Sequence, residues 1–230
     1  MLVSFAHNFI FLKSRKTAGT SVEMFLQTAS GITAAEVSEK THAIENDMGI
    51  VGSRMMPKST IALDHKWFNH LPAKQLRAQI GEDVWARSTK VTTVRNPFDR
   101  IVSAYFWILH FNDQPAPSDP EILQQNVSAF AMNNSFPDDR EIFFDGDEYV
   151  PDVHIRYETL ESDLRTFCVS QGLSETHNAL PQTKVLRHKR NGLSTSSFFT
   201  PAARDHIRDQ YAWLIDRFDY SLENDKVAAH

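Results

Sequence analysis

Two short segments of this sequence combine basic, hydroxyl and glycine residues at spacings suited to binding phosphate-like anions. The first, Lys16–Ser21, follows the apolar stretch 8–12, whose length and composition predict a buried strand. Val22, Phe25 and Leu26 then recur at helical spacing. A strand that turns directly into a helix leaves backbone N–H groups and the positive end of the helix dipole open to an anion.

The residue types within Lys16–Ser21 fit this use. Gly19 and the small Ala18 allow the backbone to approach a ligand closely, and Lys16 adds a positive charge. Hydroxyl donors are present at Thr17, Thr20 and Ser21. The GxxxxGK[ST] pattern of nucleotide triphosphatases is absent, because the lysine here precedes the glycine by three positions. An ordinary capped helix with a solvated lysine remains an alternative interpretation.

The second segment begins at Arg95, where the β-rich stretch 90–94 ends. The Asn-Pro pair that follows is a favourable helix start, and Ser103 lies eight positions after Arg95, inside the predicted helix. A guanidinium binds phosphate oxygens in pairs, and a hydroxyl can add a further contact. The alternative is that Arg95 pairs with Asp99 while Ser103 serves only in packing.

Strands and helices alternate along the chain. Further elements are predicted at 71–80 (helix), 153–157 (strand), 160–168 (helix) and from Thr200 onward (helix). This order predicts a three-layer α/β/α fold with a central, mainly parallel sheet, in which ligands bind at the carboxyl ends of the strands. We expect one domain over 1–230, with an irregular, proline-rich insertion around one or two helices at about 112–152.

The composition excludes several classes of protein. Hydrophobic residues make up 41% of the chain, which predicts a globular core, and the net charge of −5 disfavours a nucleic-acid partner. No stretch is long and apolar enough to cross a bilayer, and the first residues do not resemble a signal peptide. Cys168 is the single cysteine, so a reducing compartment and a cytoplasmic location are expected. The sequence contains no pattern that predicts an oligomeric state.

With both motifs in this order, the sequence resembles the superfamily of sulfotransferases that use 3′-phosphoadenosine 5′-phosphosulfate (PAPS). It is most similar to the branch that includes bacterial sulfotransferase family proteins and the Golgi carbohydrate sulfotransferases. Lys16–Ser21 resembles the family's 5′-phosphosulfate loop, and Arg95–Tyr105 resembles its 3′-phosphate motif. One departure is Arg15, because the family often has proline before the loop lysine. The resemblance implies a fold like that of P-loop NTPases.

The resemblance also implies the reaction. A sulfonyl group would pass from PAPS to a hydroxyl or amine of a carbohydrate or small-molecule acceptor, releasing 3′,5′-ADP without a metal ion. Lys16 would act in catalysis by neutralising the charge that grows on the leaving oxygen. The residues implied to bind the donor are Arg15, Lys16, Thr17, Ala18, Gly19, Thr20, Ser21, Arg95, Ser103, Lys189 and Arg190. The basic stretch 184–190 could instead be a solvated run of charge.

The acceptor must lose a proton as it attacks, and histidine is the natural base near neutral pH. His70, which lies 25 residues before Arg95, is the candidate implied by the resemblance, and His65 is the alternative. Regions 30–65 and 110–150 would build the acceptor site. Two other functions remain open: a P-loop-type kinase that uses ATP, and a non-catalytic nucleotide-binding relative.

Overall fold

The structure, a computed structural model, describes residues 1–32, 37–55, 66–173, 180–181, 190 and 192–222. It divides into two compact units. The first unit comprises Met1–Val94 and Asp139–Thr183, and the second comprises Arg95–Asp138 and Lys184–His230. That the whole chain works as one domain stays a prediction.

The strands and helices that the sequence predicts occur in the predicted order, together with further elements. The strands are β1 (Leu2–Ser4), β2 (Phe9–Leu12), β3 (Ile44–Asn46), β4 (Gly49–Val51), β5 (Thr89–Val94), β6 (Phe144–Asp145), β7 (Glu148–Tyr149) and β8 (Val153–Arg156). The α-helices are α1 (Gly19–Ala29), α2 (Ala73–Ile80), α3 (Glu82–Arg87), α4 (Pro97–Phe111), α5 (Pro120–Met132), α6 (Arg140–Phe143), α7 (Leu160–Ser170), α8 (Pro201–Gln210) and α9 (Ala212–Phe218).

The central sheet of the first unit is mixed, with strand order β3-β4-β1-β2-β5-β8. The pairs β2–β5 and β5–β8 are parallel, so the expected parallel arrangement holds for the three strands predicted from the sequence. The pairs β1–β2, β1–β4 and β3–β4 are antiparallel. This antiparallel side was not predicted, because each of its strands has only three residues.

Both faces of this sheet are covered. On one face, α1 and α7 bury their apolar side chains against the sheet, and Phe9 of β2 meets Phe167 of α7 edge-on with ring centroids 5.3 Å apart. On the other face, the Lys90 ammonium lies 5.6 Å from the ring centroid of Trp85 in α3. The sheet is therefore flanked by helices, and β2 and β5 end at buried positions.

The region 112–152 contains two helices, in agreement with the prediction, and a hairpin that was not predicted. It holds α5, α6 and the antiparallel hairpin formed by β6 and β7. Pro120 occupies the first position of α5, where proline is well tolerated, and the Asp119 carboxylate accepts from the Glu121 N–H at 2.8 Å. Pro120 thus begins a helix rather than interrupting one.

The second unit is helical. The helix α4 begins as predicted, since the Asn96 side chain caps it by accepting from the Phe98 N–H at 3.1 Å. The predicted apolar stripe is buried at Phe98, Ile101, Val102 and Tyr105, and Leu109 is partly buried. The C-terminal helix begins at Pro201 after the Thr200 cap, but it breaks at Tyr211 into α8 and α9. Among the described residues, no helix has the length and apolar character needed to span a membrane.

Candidate anion-binding site

The loop between β2 and α1 has an unusual backbone. Lys16 and Ala18 both have positive φ angles, 62° and 64°, in the left-handed region that favours glycine. Each such conformation in a residue with a side chain costs about 1–3 kcal/mol and survives only where the surrounding structure imposes it. The strain lies within the segment that the sequence analysis singled out as an anion loop.

The first turn of α1 has the features of an anion cradle. The helix begins at Gly19, and its N-cap residue, Ala18, has no side chain that could accept from the helix amides. The N–H groups at the start of a helix have no intrahelical acceptor, so those of Gly19 and Thr20 require a partner from outside the helix. Successive amides in such a turn form a concave, positively polarised surface that suits phosphate or sulfate.

A cluster of buried hydroxyl groups attaches this loop to the end of β5. The Ser14 hydroxyl donates to the Thr93 carbonyl at 2.6 Å and lies 2.8 Å from the Thr17 hydroxyl. The Thr17 and Thr93 hydroxyl oxygens are 2.7 Å apart. Thr17 therefore stabilises the loop from inside the protein, and its direct contact with a ligand stays a prediction.

Gly19 is tightly enclosed. A Cβ atom added at this position would lie 3.1 Å from both the Lys13 Cγ and the Ser14 carbonyl oxygen. Since the Ser14 side chain is bonded to β5, the loop cannot relax freely, and overpacking of this kind costs about 1–3 kcal/mol. We expect Gly19→Ala to lower the affinity for 3′,5′-ADP about tenfold, as measured by calorimetry. The unfolding temperature should fall only slightly, because the preference of a helix for alanine over glycine, at most about 1 kcal/mol, offsets part of the overpacking.

Gly146 provides the control for this substitution. It has a φ of 63°, and an added Cβ would have no neighbour within 4 Å. Gly146→Ala should lower the unfolding temperature through backbone strain and leave nucleotide affinity unchanged. If Gly19→Ala also lost stability without losing affinity, the close packing of Gly19 would have no role in binding.

The loop is also held by a carboxylate far away in the sequence. Asp139 accepts from the Arg15 main-chain N–H through Oδ2 at 2.7 Å, and its Oδ1 pairs with the Arg15 guanidinium. Glu141 lies 3.6 Å from the same guanidinium. The charge of Arg15 is thus engaged within the protein, and its proposed contact with the donor stays a prediction.

A buried charge network supports the other side of the loop. Glu23 of α1 accepts from the Lys13 ammonium at 2.8 Å and from the Arg54 guanidinium at 2.6 Å. Burial alone would raise the pKa of Glu23, but the charges of Lys13 and Arg54 hold it well below its ordinary value. Lys13 also donates to the Asn69 side chain at 3.0 Å. The network connects α1, the loop and the segment that carries His70.

His70 is fixed against the loop by one hydrogen bond. Its Nδ1 lies 2.8 Å from the Lys13 carbonyl oxygen, which can only accept, so Nδ1 carries the proton and the neutral ring leaves the Nε2 lone pair available. Burial, followed by the positive charges of Lys13 and Arg15, lowers the pKa of His70 well below 6.5. The ring is therefore neutral at pH 7. His65, the alternative base, lies outside the described residues.

In the second unit, two arginines share one carboxylate. The Arg95 Nε donates to Asp99 Oδ2 at 2.5 Å, and the Arg190 guanidinium pairs with Asp99 Oδ1. Burial raises the pKa of Asp99, and the two arginines lower it by more, so it stays below its ordinary value. The pairing of Arg95 with Asp99, raised above as an alternative, is present. Because Asp99 also pairs with Arg190, the guanidinium groups of Arg95 and Arg190 lie close to each other.

Each unit brings together part of the predicted site. In the first unit, His70 is hydrogen-bonded to the carbonyl of Lys13, which lies two residues before the loop residues Arg15 to Ser21. In the second unit, Arg95 and Arg190 meet at Asp99, and Ser103 lies one helical turn beyond Asp99, partly buried. Lys189 lies outside the described residues.

Sequence reasoning missed two acidic residues. The sequence gives a weak indication that Glu23 is buried with a partner, because this charged residue lies among the buried residues of α1. Asp139 has no local signal, since its partner Arg15 is 124 positions away. No group of three or more histidine, cysteine, aspartate or glutamate residues suited to a metal ion occurs in the described ranges. That the reaction needs no metal stays a prediction.

The fold and this site define an α/β protein with a candidate anion-binding loop between a parallel strand and a helix. Residues 1–137 match the model of the sulfotransferase family, and this is more than half of the 230-residue chain. The chain therefore belongs to the sulfotransferase family. The matched region includes Lys16–Ser21, His70, Arg95 and Ser103, whereas Arg190 lies beyond it. No curated protein and no solved structure matches the sequence.

Proposed function

We propose that this chain transfers a sulfonyl group from PAPS to a hydroxyl or amine of a carbohydrate or small-molecule acceptor, releasing 3′,5′-ADP. The observation that carries the proposal is the family match, because it spans both predicted phosphate-binding segments. The strained loop before α1, which offers helix amides to an anion, supports it. We also propose that β2 and β5, each followed by a loop and a helix, belong to a P-loop-like fold.

The loop of the first unit would bind the 5′-phosphosulfate part of the donor. The amides of Gly19 and Thr20 would hold its oxygens, and Lys16 would lie against the oxygen that bridges phosphorus and sulfur. Negative charge grows on that oxygen as the sulfur–oxygen bond breaks, so an ammonium there binds the transition state more strongly than the ground state. This difference is what accelerates the reaction.

His70 would accept the proton of the acceptor. As the acceptor oxygen or nitrogen forms its bond to sulfur, its proton passes to Nε2 of His70, and the electron pair of the broken sulfur–oxygen bond leaves with 3′,5′-ADP. The hydrogen bond from Nδ1 to the Lys13 carbonyl supports this role, because it keeps the lone pair on Nε2. The lowered pKa keeps the base unprotonated in its resting state.

The arginines of the second unit would bind the 3′-phosphate. Arg95, Arg190 and Asp99 together carry one net positive charge, and each guanidinium offers several N–H donors. A phosphate monoester is a dianion with three accepting oxygens, which fits two neighbouring guanidinium groups. Such a group would distinguish PAPS from ATP, which has no 3′-phosphate.

The direct experiment is incubation with PAPS and a panel of carbohydrate and small-molecule acceptors, with mass spectrometry to detect a sulfonylated product. Thermal shift assays separate the alternatives. Stabilisation by 3′,5′-ADP without magnesium supports the proposal, whereas a response to Mg-ATP alone indicates a kinase. Nucleotide binding without turnover of any acceptor indicates a non-catalytic relative. The single cysteine favours a reducing, cytoplasmic location, which stays a prediction.

Arg95→Lys tests the proposed 3′-phosphate contact. Lysine keeps the positive charge but loses the paired N–H donors, and hydrogen bonds to charged groups contribute about 1.5–3 kcal/mol. We therefore expect the dissociation constant of 3′,5′-ADP to rise about tenfold to a hundredfold, measured by calorimetry. The affinity for 5′-AMP, which lacks the 3′-phosphate, should not change. An equal loss for both nucleotides would contradict the role assigned to Arg95.

A further inference from the structure

Asp139 is a buried carboxylate in an unfavourable backbone conformation. It is 1% exposed and has a φ of 68°, in the left-handed region. It also occupies the N-cap of α6, where an aspartate ordinarily accepts from the amides of the helix. Its side chain makes no such bond. Both of its oxygens are directed to Arg15 instead, so neither the strain nor the burial is explained by the start of α6.

The two contacts of Asp139 differ in kind. Oδ2 accepts from the main-chain N–H of Arg15 at 2.7 Å, and this bond does not depend on the side chain at position 15. Oδ1 pairs with the Arg15 guanidinium, which is one-quarter exposed. A bond between a buried carboxylate and a backbone amide is charge-assisted and poorly screened, whereas a partly exposed ion pair is weakened by water.

The main-chain bond acts next to Lys16. The peptide N–H that Asp139 holds belongs to the residue immediately before Lys16, whose own φ is 62°. The preceding residue, Ser14, is bonded to the Thr93 carbonyl at 2.6 Å. Two successive residues are thus held from two different elements just before the strained position. This arrangement supplies the constraint that a positive φ at Lys16 requires.

We propose that Asp139 is a positioning residue for sulfonyl transfer, which acts by holding the main chain of Arg15 and so imposing the loop conformation that presents Lys16. The ion pair with the Arg15 guanidinium is secondary. This inference rests on the proposed function, since it assumes that Lys16 acts on the leaving oxygen in sulfonyl transfer. It concerns a residue outside the family match, which ends at 137.

Variants at three positions test it by steady-state kinetics. Asp139→Ala removes both bonds and should lower kcat on the order of a hundredfold, as expected for a small misplacement of a catalytic group. Arg15→Ala keeps the main-chain bond. Because Arg15 is also implied to contact the donor, its loss should appear mainly as a higher KM for PAPS, and kcat at saturating PAPS should fall no more than about fivefold. The double variant should fall no further than Asp139→Ala alone. Glu141→Ala is the matched control, because Glu141 contacts the same guanidinium but is 55% exposed, and it should change kcat less than about twofold.

A second measurement separates positioning from a general loss of structure. Asp139→Asn retains one oxygen that can accept from the Arg15 N–H, so its kcat should lie between those of the wild type and Asp139→Ala. KM for PAPS should rise less than kcat falls, because the helix amides that hold the donor remain. If Arg15→Ala lost as much kcat as Asp139→Ala, or if Asp139→Ala resembled the wild type, the proposal would be overturned.

Amide hydrogen exchange tests the bond between Asp139 and the Arg15 main-chain N–H without any need for turnover. In Asp139→Ala, a peptide covering 14–18 should exchange its amide hydrogens faster than in Arg15→Ala or Glu141→Ala. If the wild type transfers no sulfonyl group, the proposed function fails, yet this result still shows whether Asp139 holds the loop. Unchanged exchange in Asp139→Ala would refute the positioning role itself, whatever the reaction is.

Discussion

Lys16→Ala is expected to lower kcat on the order of a hundredfold or more, because it removes the charge that would stabilise the leaving oxygen in the transition state. The fold should be preserved. Lysine and alanine both carry a Cβ, so the cost of the positive φ at position 16 is nearly the same in both. The affinity for 3′,5′-ADP should fall much less than kcat, since the loop amides and the arginines would still bind the product.

Two further variants make this prediction specific. Lys16→Arg keeps a positive charge at the same position and should retain part of the activity that Lys16→Ala loses. Lys66→Ala removes an exposed lysine outside the proposed site and should have wild-type kcat. Turnover of Lys16→Ala close to that of the wild type would show that the loop lysine does not act on the leaving group.

His70→Asn is expected to lower kcat by about 10²- to 10⁴-fold, the range for loss of a general base. Asparagine is chosen for two structural reasons. It tolerates the φ of 58° at this position better than most residues, and its side-chain amide can still donate to the Lys13 carbonyl. The substitution thus removes Nε2 while keeping the backbone and the hydrogen bond. His42→Gln, at an exposed position, is the control and should be fully active.

The pH dependence of kcat/KM provides an independent test of His70, because kcat/KM reports ionisations of the free enzyme. The pKa of His70 is lowered well below 6.5, so the neutral base persists as the pH falls through 6.5 and is lost only at lower pH. The acid limb of the wild-type profile should therefore lie below pH 6.5, and it should be absent in the residual activity of His70→Asn. An acid limb above this value, or one that persists in His70→Asn, would assign the proton transfer to another group.

Local patterns were sufficient for the elements that carry the predicted loops. In α4, Asn96 and Pro97 mark the start, and the spacing of Phe98, Ile101 and Tyr105 marks the buried face. The helix start and the apolar spacing each depend on residues that are close in sequence, so both can be recognised without knowing the tertiary structure. The same holds for β2, where four successive apolar residues are fully buried. The helix after the first loop was predicted from about Ser21, two residues after its start at Gly19, and the cap at Thr200 was predicted correctly.

Other elements depend on distant partners and gave no such pattern. The strand β1 has three residues and lies between β2 and β4, with which it pairs antiparallel. A strand this short acquires its conformation from its neighbours rather than from its own composition. The break between α8 and α9 at Tyr211 likewise could not be predicted from a local proline or glycine. Tyr211 is buried, so its position depends on packing within the second unit.

The sequence by itself determined that this protein has a candidate anion loop after a buried strand, an arginine after a second strand, and a resemblance to the sulfotransferase family, which the family match confirms. Those are properties of residue types and short spacings. Only the tertiary structure decided that Asp139 holds the main chain of Arg15, that Asp99 joins Arg95 to Arg190, and that Nδ1 of His70 is bonded to Lys13. The physical reason is that a hydrogen bond depends on distance and direction in space, and no local pattern records which distant carboxylate or carbonyl will supply it.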